Sequence, residues 1–261
     1  MSEAPLVLTI ESEIARITLD RPDLANALTS AAAAHIAAAV DRIAADPSVR
    51  VVVLTGNGKM FCAGGDIREF VTTLDTLGDL IGDELLTLNA TLLKLAALPM
   101  PVVAALNGPV AGGGIGLALT ADVLIAAESV RFRAGYAAIG LSPDAGTSYF
   151  LTRLIGPQRA KEFLFTNRFL DAPEALALGL VSKVVPDADL AEETEALVRR
   201  IAAMPPGALA AVKSLVNAAV NETHADVLER ERRWMMRNGA TADAHEGIRA
   251  FIERRTPTFA R

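Results

Sequence analysis

The sequence predicts an α/β domain with a largely parallel sheet and an added helical region near its C-terminus. Three runs, VVVLT from Val51, PVVAAL from Pro101 and DVLIAA from Asp122, are almost free of polar residues, which is typical of strands buried on both faces. Helical patterns separate these runs, which indicates βαβ units with helices around a parallel sheet. After Gly146 the pattern is almost wholly helical. We therefore expect a core over residues 1–190 and a helical region over residues 191–261.

A hairpin and a helix are predicted first. Apolar and polar residues alternate in the second of two short segments, so Leu6–Ile10 and Ile14–Leu19 are expected to pair as strands. Thr29 or Ser30 is suited to cap an Ala-rich helix, which should end before Pro47.

Further helix and strand signals follow along the chain. The loop GNGKMFCAGGD is expected to lead into a helix that ends near Leu98. Pro157 marks a helix start, and Asp171 to Glu174 has the pattern of a capping box. A short strand is expected at Val181–Val185, and the helices after it are expected to carry self-association.

Composition and charge exclude several classes of protein. The 261 residues carry a net charge of −6 with scattered Lys and Arg, so the basic surface that nucleic-acid binding requires is absent. Cys62 is the only cysteine, which rules out an intrachain disulfide, and no Cys/His cluster predicts a metal site. The longest apolar stretch contains Asn107 and Asp122, so no membrane span is predicted. The N-terminal segment lacks a secretory pattern, and we expect a cytoplasmic protein.

Two glycine-rich loops are the main functional signal. FCAGGD follows one buried strand and GPVAGGGIG follows another. The dinucleotide pattern G-x-G-x-x-G would need glycine at Leu117, and no P-loop motif occurs. The hydrolase pattern G-x-S-x-G fails at Asp144. Successive backbone N–H groups in such loops can hold an oxyanion, although the same glycines also suit tight turns and close packing.

Six segments carry a resemblance that runs nearly the whole length of the chain. They are ITLDRPDLANALT, VVVLTGNGKMFCAGGDI, PVVAALNGPVAGGGIGLALTADVLIAAESVRF, IGLSPDAGTSYFLTRLIG, APEALALGLVSKVV and GIRAFIERRTPTF. In this order they resemble the enoyl-CoA hydratase/isomerase (crotonase) superfamily. The resemblance implies a crotonase-type spiral of ββα units with a C-terminal helical trimerisation region. It also implies an acyl-CoA thioester substrate, a homotrimer or dimer of trimers, and no cofactor apart from the CoA of the substrate.

The resemblance implies which residues form the site. The backbone N–H groups of Gly65 and Gly113 are expected to hold the thioester oxygen, where one such donor typically contributes about 3 kcal/mol to stabilising an enolate. The residues expected to contact substrate are Ala25, Ala27, Ala63, Asp66, Ile67, Gly112, Gly116, Tyr136, Leu141 and Arg254. Ala25 and Ala27 match positions along the CoA channel. Arg254 matches a basic position that can meet a CoA phosphate.

The acid/base group decides which reaction is expected. Hydratases of the family use two glutamates, whose positions match Gly116 and Tyr136 in this chain. Asp144, in SPDAGTSY, matches the carboxylate of the family's double-bond isomerases and the PD step of 1,2-epoxyphenylacetyl-CoA isomerases. One carboxylate can remove a proton from one carbon and return it to another. We therefore expect an acyl-CoA isomerase that uses Asp144, although Asp144 would also suit the N-cap of the following helix.

Three other functions fit parts of the pattern. A hydratase would need a relocated carboxylate. An enzyme similar to 4-chlorobenzoyl-CoA dehalogenases would use Asp144 as a nucleophile, but that branch's pocket Trp and base His fall at Tyr136 and Asn89. A protein that only binds acyl-CoA would not depend on Asp144 at all.

Overall fold

The computed structural model describes residues 4–259, which form nine strands and ten α-helices. The strands are β1 (Leu6–Glu11), β2 (Ile14–Leu19), β3 (Val51–Gly56), β4 (Val102–Leu106), β5 (Val110–Ala111), β6 (Val123–Ala127), β7 (Arg131–Arg133), β8 (Phe169–Asp171) and β9 (Lys183–Val185). The helices are α1 (Ser30–Ala45), α2 (Ile67–Thr72), α3 (Leu77–Ala97), α4 (Gly113–Leu119), α5 (Thr147–Thr166), α6 (Ala172–Ala177), α7 (Leu190–Ala202), α8 (Pro206–Ala219), α9 (His224–Gly239) and α10 (Ala242–Glu253).

Six strands form the main sheet, in the order β1-β2-β3-β4-β6-β9. β1 and β2 pair antiparallel as the predicted hairpin, and every later pair is parallel. The side chain of Asn107 accepts a hydrogen bond from the Gly56 N–H at 3.0 Å and joins the ends of β3 and β4. Because parallel strands end at the same edge of a sheet, the two glycine-rich loops emerge side by side.

Helices cover both faces of the main sheet. On one face Ile36 and Ile43 of α1 and Leu95 of α3 are fully buried. Burying a side chain of this size contributes about 1.5–3 kcal/mol. On the other face Val198 of α7 packs against Val53 and its neighbours. α7 therefore packs directly on this face of the sheet.

Local signals in the sequence correspond to several helix boundaries. The Thr29 side chain accepts a hydrogen bond at 3.2 Å from a backbone N–H in the first turn of α1. Asp171 caps α6 by accepting a hydrogen bond from the Glu174 N–H at 3.0 Å. α5 bends at Gly156, where φ is 80° and ψ is 159°, and Pro157 starts its second half as predicted.

Three features differ from the expectations. β9 spans Lys183–Val185 and is shorter than the predicted strand. The segment after the first glycine-rich loop forms α2 and α3, with a 3-10 turn at Leu74–Thr76 between them, in place of one helix. β5, β7 and β8 form a second sheet in that order, which the sequence does not predict because runs of two or three residues carry no periodicity. Within residues 4–259, no helix is both long enough and apolar enough to cross a bilayer.

Candidate active site

The two glycine-rich loops contact each other beyond the ends of β3 and β4. The Ala111 N–H donates a hydrogen bond to the Cys62 carbonyl at 2.8 Å, which joins the loops. Gly64 has a φ of +84°, and a Cβ there would lie 2.9 Å from the Gly113 nitrogen. A side chain at position 64 would push the loops apart, so glycine is needed at this contact.

Two backbone donors lie at this junction. Gly112 precedes α4 with a φ of 50° and a ψ of −134°, so the Gly113 N–H lies at the start of the helix. Within residues 4–259, neither the Gly65 nor the Gly113 N–H has a hydrogen-bond acceptor. Both residues line one cavity. Unpaired donors at a helix start can stabilise an oxygen that gains negative charge.

A cavity of about 1620 Å³ extends from these donors. Much of its wall is apolar, including Phe70 of α2 and Leu85 of α3. The charged residues on the wall, in the described part of the chain, are Asp122, Arg133, Asp144, Arg153 and Lys213. Asp122 and Lys213 neutralise each other through an ion pair of 2.8 Å. Asp144 is thus the wall's remaining carboxylate and makes no ion pair with a described residue.

Asp144 is directed at the Gly113 end of the cavity. A Cβ on Gly113 would lie 3.0 Å from Asp144 Oδ1. The Tyr136 hydroxyl donates a hydrogen bond to the same oxygen at 2.6 Å, and Thr147 Oγ1 lies 3.2 Å from that hydroxyl. The alternative role of Asp144 as a helix cap is not observed, because Gly146 precedes α5 and no side chain caps this helix. The carboxylate faces the second glycine-rich loop at Gly113 instead.

Burial controls the protonation of this cluster. Desolvation raises the pKa of Asp144, and the hydrogen bond from Tyr136 opposes the rise by stabilising the ionised form. The pKa of Tyr136 is raised by its own burial and then by the negative charge of Asp144. Complete burial raises the pKa of the Cys62 thiol to about 12, so this thiol stays protonated at neutral pH. A carboxyl group with a raised pKa is suited to both accepting and returning a proton.

Gly116 lies beneath the turn that carries Asp144. A Cβ on Gly116 would lie 2.7 Å from the carbonyl carbon of Ala145 and closer still to its oxygen. Ala145 itself has a φ of 49°, in the left-handed region. The resemblance implies that Gly116 lines the substrate site, but it is absent from the cavity wall and supports the turn instead. No side chain, and therefore no glutamate, fits at this position.

Eight of the predicted site residues line the cavity together. They are Ala63, Gly65, Ile67, Gly112, Gly113, Tyr136, Leu141 and Asp144. Ala25 and Ala27 do not line it. The Ala25 carbonyl accepts a hydrogen bond from the Ala63 N–H at 3.0 Å, and Ala27 is buried. Ala25 therefore supports the first glycine-rich loop through its backbone, and the contact of Ala25 and Ala27 with CoA stays a prediction.

Asp66 and Arg254 also lie outside the cavity wall. Asp66 caps α2 by accepting a hydrogen bond from the Arg68 N–H at 3.0 Å, and it pairs with the Arg68 guanidinium at 3.2 Å. Burial opposes ionisation of Asp66, but the bonds from Arg68 outweigh it and lower the pKa. Arg254 ends α10 with a φ of 55°. Contact of either residue with CoA likewise stays a prediction.

Sequence reasoning missed two residues of the site. Thr147 is fully buried and contacts the Tyr136 hydroxyl. The Phe70 ring lies 2.7 Å from the place where a Cβ on Gly65 would be, so it packs directly over that donor residue. Thr147 stands three positions after Asp144 in SPDAGTSY, and that proximity was the available signal. Nothing in the segment IREFVT distinguishes Phe70 from an ordinary core residue.

The family model described as Enoyl-CoA hydratase/isomerase matches residues 9–261 of the chain. The chain belongs to this family. It is therefore an enzyme with the acyl-CoA hydratase/isomerase chemistry of the crotonases, to which the two backbone donors and the nearby carboxylate are suited.

Relatives of this family member carry both reaction names. A Rhodobacter capsulatus protein named probable enoyl-CoA hydratase is 37% identical over 259 residues, which cover 99% of each chain. The 1,2-epoxyphenylacetyl-CoA isomerase of Escherichia coli is 34% identical over 253 residues, which cover 96% of each chain. A crystal structure of an enoyl-CoA hydratase from Polaromonas sp. JS666 matches with a TM-score of 0.93 and 33% identity, over 98% of this chain and 99% of that one. The structural match confirms the predicted fold class.

Proposed function

We propose that this family member is an acyl-CoA isomerase that shifts a double bond, or rearranges an unsaturated or epoxidised acyl group, through an enolate. The observation that carries the proposal is the Asp144 carboxylate, whose Oδ1 lies 3.0 Å from the position of a Cβ on Gly113. The carboxylate and the two backbone donors border one cavity. A thioester bound to the donors would therefore present its acidic C–H group to Asp144.

Each group has a defined part in a double-bond shift. The Gly65 and Gly113 N–H groups donate hydrogen bonds to the thioester oxygen. Ionised Asp144 takes a proton from the carbon next to the thioester, and the electrons of that C–H bond pass into a dienolate whose oxygen carries the charge. The same carboxyl group then returns a proton to the far carbon of the conjugated system. No atom is gained or lost overall, so one carboxylate is sufficient.

Hydration is the second candidate, because the Rhodobacter capsulatus relative is named a probable enoyl-CoA hydratase. Asp144 alone would then have to take a proton from water and deliver it to the substrate carbon. The positions of the two hydratase glutamates favour isomerisation instead. Gly116 has no space for a side chain, and Tyr136 has a hydroxyl whose pKa is raised, which makes it a poor base near neutral pH.

Two other functions have less support. Asn89 lies on the cavity wall at the position where a dehalogenase-like enzyme would need a basic His, and an amide nitrogen does not accept a proton from water. A protein that only binds acyl-CoA would gain nothing from a partly buried carboxylate without an ion-pair partner. Such a group costs stability, which favours a chemical role.

Trimerisation through the C-terminal helices is part of the proposal. The exposed apolar side chains on α9 and α10 are Leu228, Met235, Met236, Ile248, Phe251 and Ile252. Clusters of this kind mark interaction surfaces. A homotrimer or a dimer of trimers would cover them, and Arg254 could then meet a CoA phosphate in a neighbouring subunit.

Solvent deuterium uptake followed by NMR tests the proposed reaction. Wild type and Asp144→Asn are incubated in deuterium oxide with aliphatic and phenylacetyl-type CoA thioesters. We expect wild type to place deuterium in the acyl chain and to form an isomer, and Asp144→Asn to do neither while it still binds CoA thioesters. A product that has gained one water would support hydration instead. Tight binding without exchange in either protein would overturn the enzymatic proposal for these substrates.

A further inference from the structure

Two hydroxyl groups form consecutive hydrogen bonds that lead to the Asp144 carboxylate. Tyr136 donates to Asp144 Oδ1 at 2.6 Å, and Thr147 Oγ1 lies 3.2 Å from the Tyr136 hydroxyl. Thr147 is fully buried and Tyr136 is 6% exposed, so bulk water does not compete for these bonds. These two hydroxyl groups connect the 3-10 turn at Tyr136–Ile139, which follows β7, with the first residue of α5.

The direction of each hydrogen bond follows from the number of protons available. A phenol has one proton, and a distance of 2.6 Å assigns that proton to the bond with Asp144 Oδ1. Tyr136 therefore accepts in its contact with Thr147, and Thr147 must donate. Both hydroxyl groups thus point their protons toward the carboxylate, which stabilises its ionised form.

The two carboxylate oxygens consequently differ. Oδ1 accepts from Tyr136 and is the oxygen closest to the position of a Cβ on Gly113, at 3.0 Å, whereas Oδ2 is 3.6 Å from that point. A proton added to Oδ1 would weaken the bond from Tyr136, because the hydroxyl oxygen of a carboxylic acid is a poorer acceptor. Oδ2 can be protonated with that bond intact.

We infer that Tyr136 and Thr147 are positioning residues that hold Asp144 so that Oδ2 alone carries the proton between the two substrate carbons. This inference rests on the proposed isomerase function. In the first step a C–H bond breaks and an O–H bond forms at Oδ2, and in the second step the reverse occurs at the other carbon. Because one fixed oxygen serves both carbons, both transfers occur on the same face of the acyl chain, and part of the original proton is retained.

Other charges around Asp144 leave this assignment intact. The titratable groups that interact with it are Tyr136 and the protonated Cys62 thiol from the first glycine-rich loop. Of the charged residues on the described cavity wall, Asp122 and Lys213 are paired with each other. The remaining two, Arg133 and Arg153, are exposed and stack on aromatic rings. Removing the Tyr136 hydroxyl therefore removes a neutral donor and changes no net charge.

Tyr136→Phe tests the inference, and Tyr149→Phe is the matched control because these are the two tyrosines of the chain. Tyr149 is 47% exposed and stacks with Arg153, at 3.5 Å from ring centre to guanidinium carbon. The readouts are the pH profile of kcat/KM and the fraction of substrate deuterium that reappears at the second carbon. We expect Tyr136→Phe to move the acid limb to higher pH by about one unit and to lower the retained fraction. Tyr149→Phe should keep the wild-type pH profile of kcat/KM and the wild-type fraction of retained deuterium.

Thr147 provides a second test that does not require a change in Tyr136. Thr147→Val removes the hydroxyl at nearly constant volume and should shift the acid limb in the same direction by a smaller amount. Thr147→Ser keeps the hydroxyl and should restore the wild-type profile. If Tyr136→Phe unfolds, this pair of Thr147 variants decides the question.

The outcomes separate the inference from the proposed function. Wild-type pH profiles and retention in both Tyr136→Phe and Thr147→Val would overturn the positioning role, even when Asp144→Asn is inactive. If Asp144→Asn places solvent deuterium in the acyl chain as fast as wild type, the proposed function itself is overturned, whatever the Tyr136 variants show.

Discussion

Gly116 in α4 packs directly beneath Ala145, in the turn that holds Asp144. A Cβ on Gly116 would lie 2.7 Å from the carbonyl carbon of Ala145, and the turn could then not keep its position. The space that a glutamate side chain would need at this family position is thus occupied by the backbone of the turn that carries Asp144. The same space cannot hold both, which gives a steric reason why this chain has glycine at position 116.

Gly116→Ala should therefore abolish activity and destabilise the protein. Overpacking of a buried contact costs about 1–3 kcal/mol, and the turn with Asp144 would be displaced. Gly82→Ala is the matched control, because Gly82 also lies inside a helix and a Cβ there meets nothing within 4 Å. That change should raise stability by about 0.5–1 kcal/mol. Chemical denaturation and the deuterium exchange rate measure both effects, and equal effects of the two variants would contradict the steric argument.

The contact between the glycine-rich loops predicts a different result for Gly64→Ala. The change forces an alanine into a φ of +84° and inserts a Cβ 2.9 Å from the Gly113 nitrogen. We expect a loss of kcat beyond any loss of stability, because the two donors would move apart. One oxyanion donor typically accounts for about 10²–10³ in kcat.

Gly140→Ala is the control for the backbone strain at Gly64. Gly140 has a φ of +74°, but a Cβ there meets nothing within 4 Å. Both variants should lose about 1–2 kcal/mol from the left-handed conformation. If kcat falls equally in both, strain alone explains the result and the loop contact is unimportant.

The raised pKa of Asp144 predicts how stability depends on pH. Because the folded-state pKa lies above the unfolded-state value, the protonated group contributes stability at low pH, and this contribution is lost as the pH rises through the folded pKa. Asp144→Asn never ionises. The variant should therefore unfold at a higher temperature than wild type above that pKa, and the difference should shrink on acidification. Each kcal/mol in the free energy of unfolding corresponds to a shift of about 2–4 °C in the melting temperature of a protein of this size. A constant difference across pH would contradict the assignment.

The ion pair between Lys213 and Asp122 anchors α8 to the sheet. The Nζ and Oδ2 atoms are 2.8 Å apart, and only 7% of the Lys213 side chain is exposed. Asp122 also accepts a hydrogen bond from the Val102 N–H at 2.7 Å. Lys213→Ala should cost about 3–5 kcal/mol, because it leaves a carboxylate beside the sheet without its cation.

Lys94 and Asp41 form the corresponding exposed pair, at the same distance of 2.8 Å but with 58% and 60% of the side chains exposed. Lys94→Ala should cost less than about 1 kcal/mol. Urea denaturation of the two variants compares buried and exposed pairs of equal geometry. Similar losses would mean that burial of the Lys213 pair has no energetic effect.

Short-range patterns in the sequence were sufficient for most of the architecture. Thr29, Asp171 and Pro157 indicate helix boundaries because capping and proline geometry act over three or four residues. The buried runs from Val51, Pro101 and Asp122 indicate β3, β4 and β6 because a strand buried on both faces needs apolar residues throughout. The two glycine-rich loops were candidates on the same basis, whereas Asp144 became a candidate only through the family resemblance.

Contacts between distant elements needed the tertiary structure. Tyr136 and Asp144 are eight positions apart, and their hydrogen bond depends on the path of the loop between them. The sequence does not distinguish Gly116 from a substrate-lining glycine, because the difference depends on Ala145, a residue of another segment that packs against it. α7 follows the predicted boundary of the core, yet Val198 completes one face of the sheet. Local propensity and periodicity act within an element, whereas these relationships arise from the close packing of one element against another, which no single segment encodes.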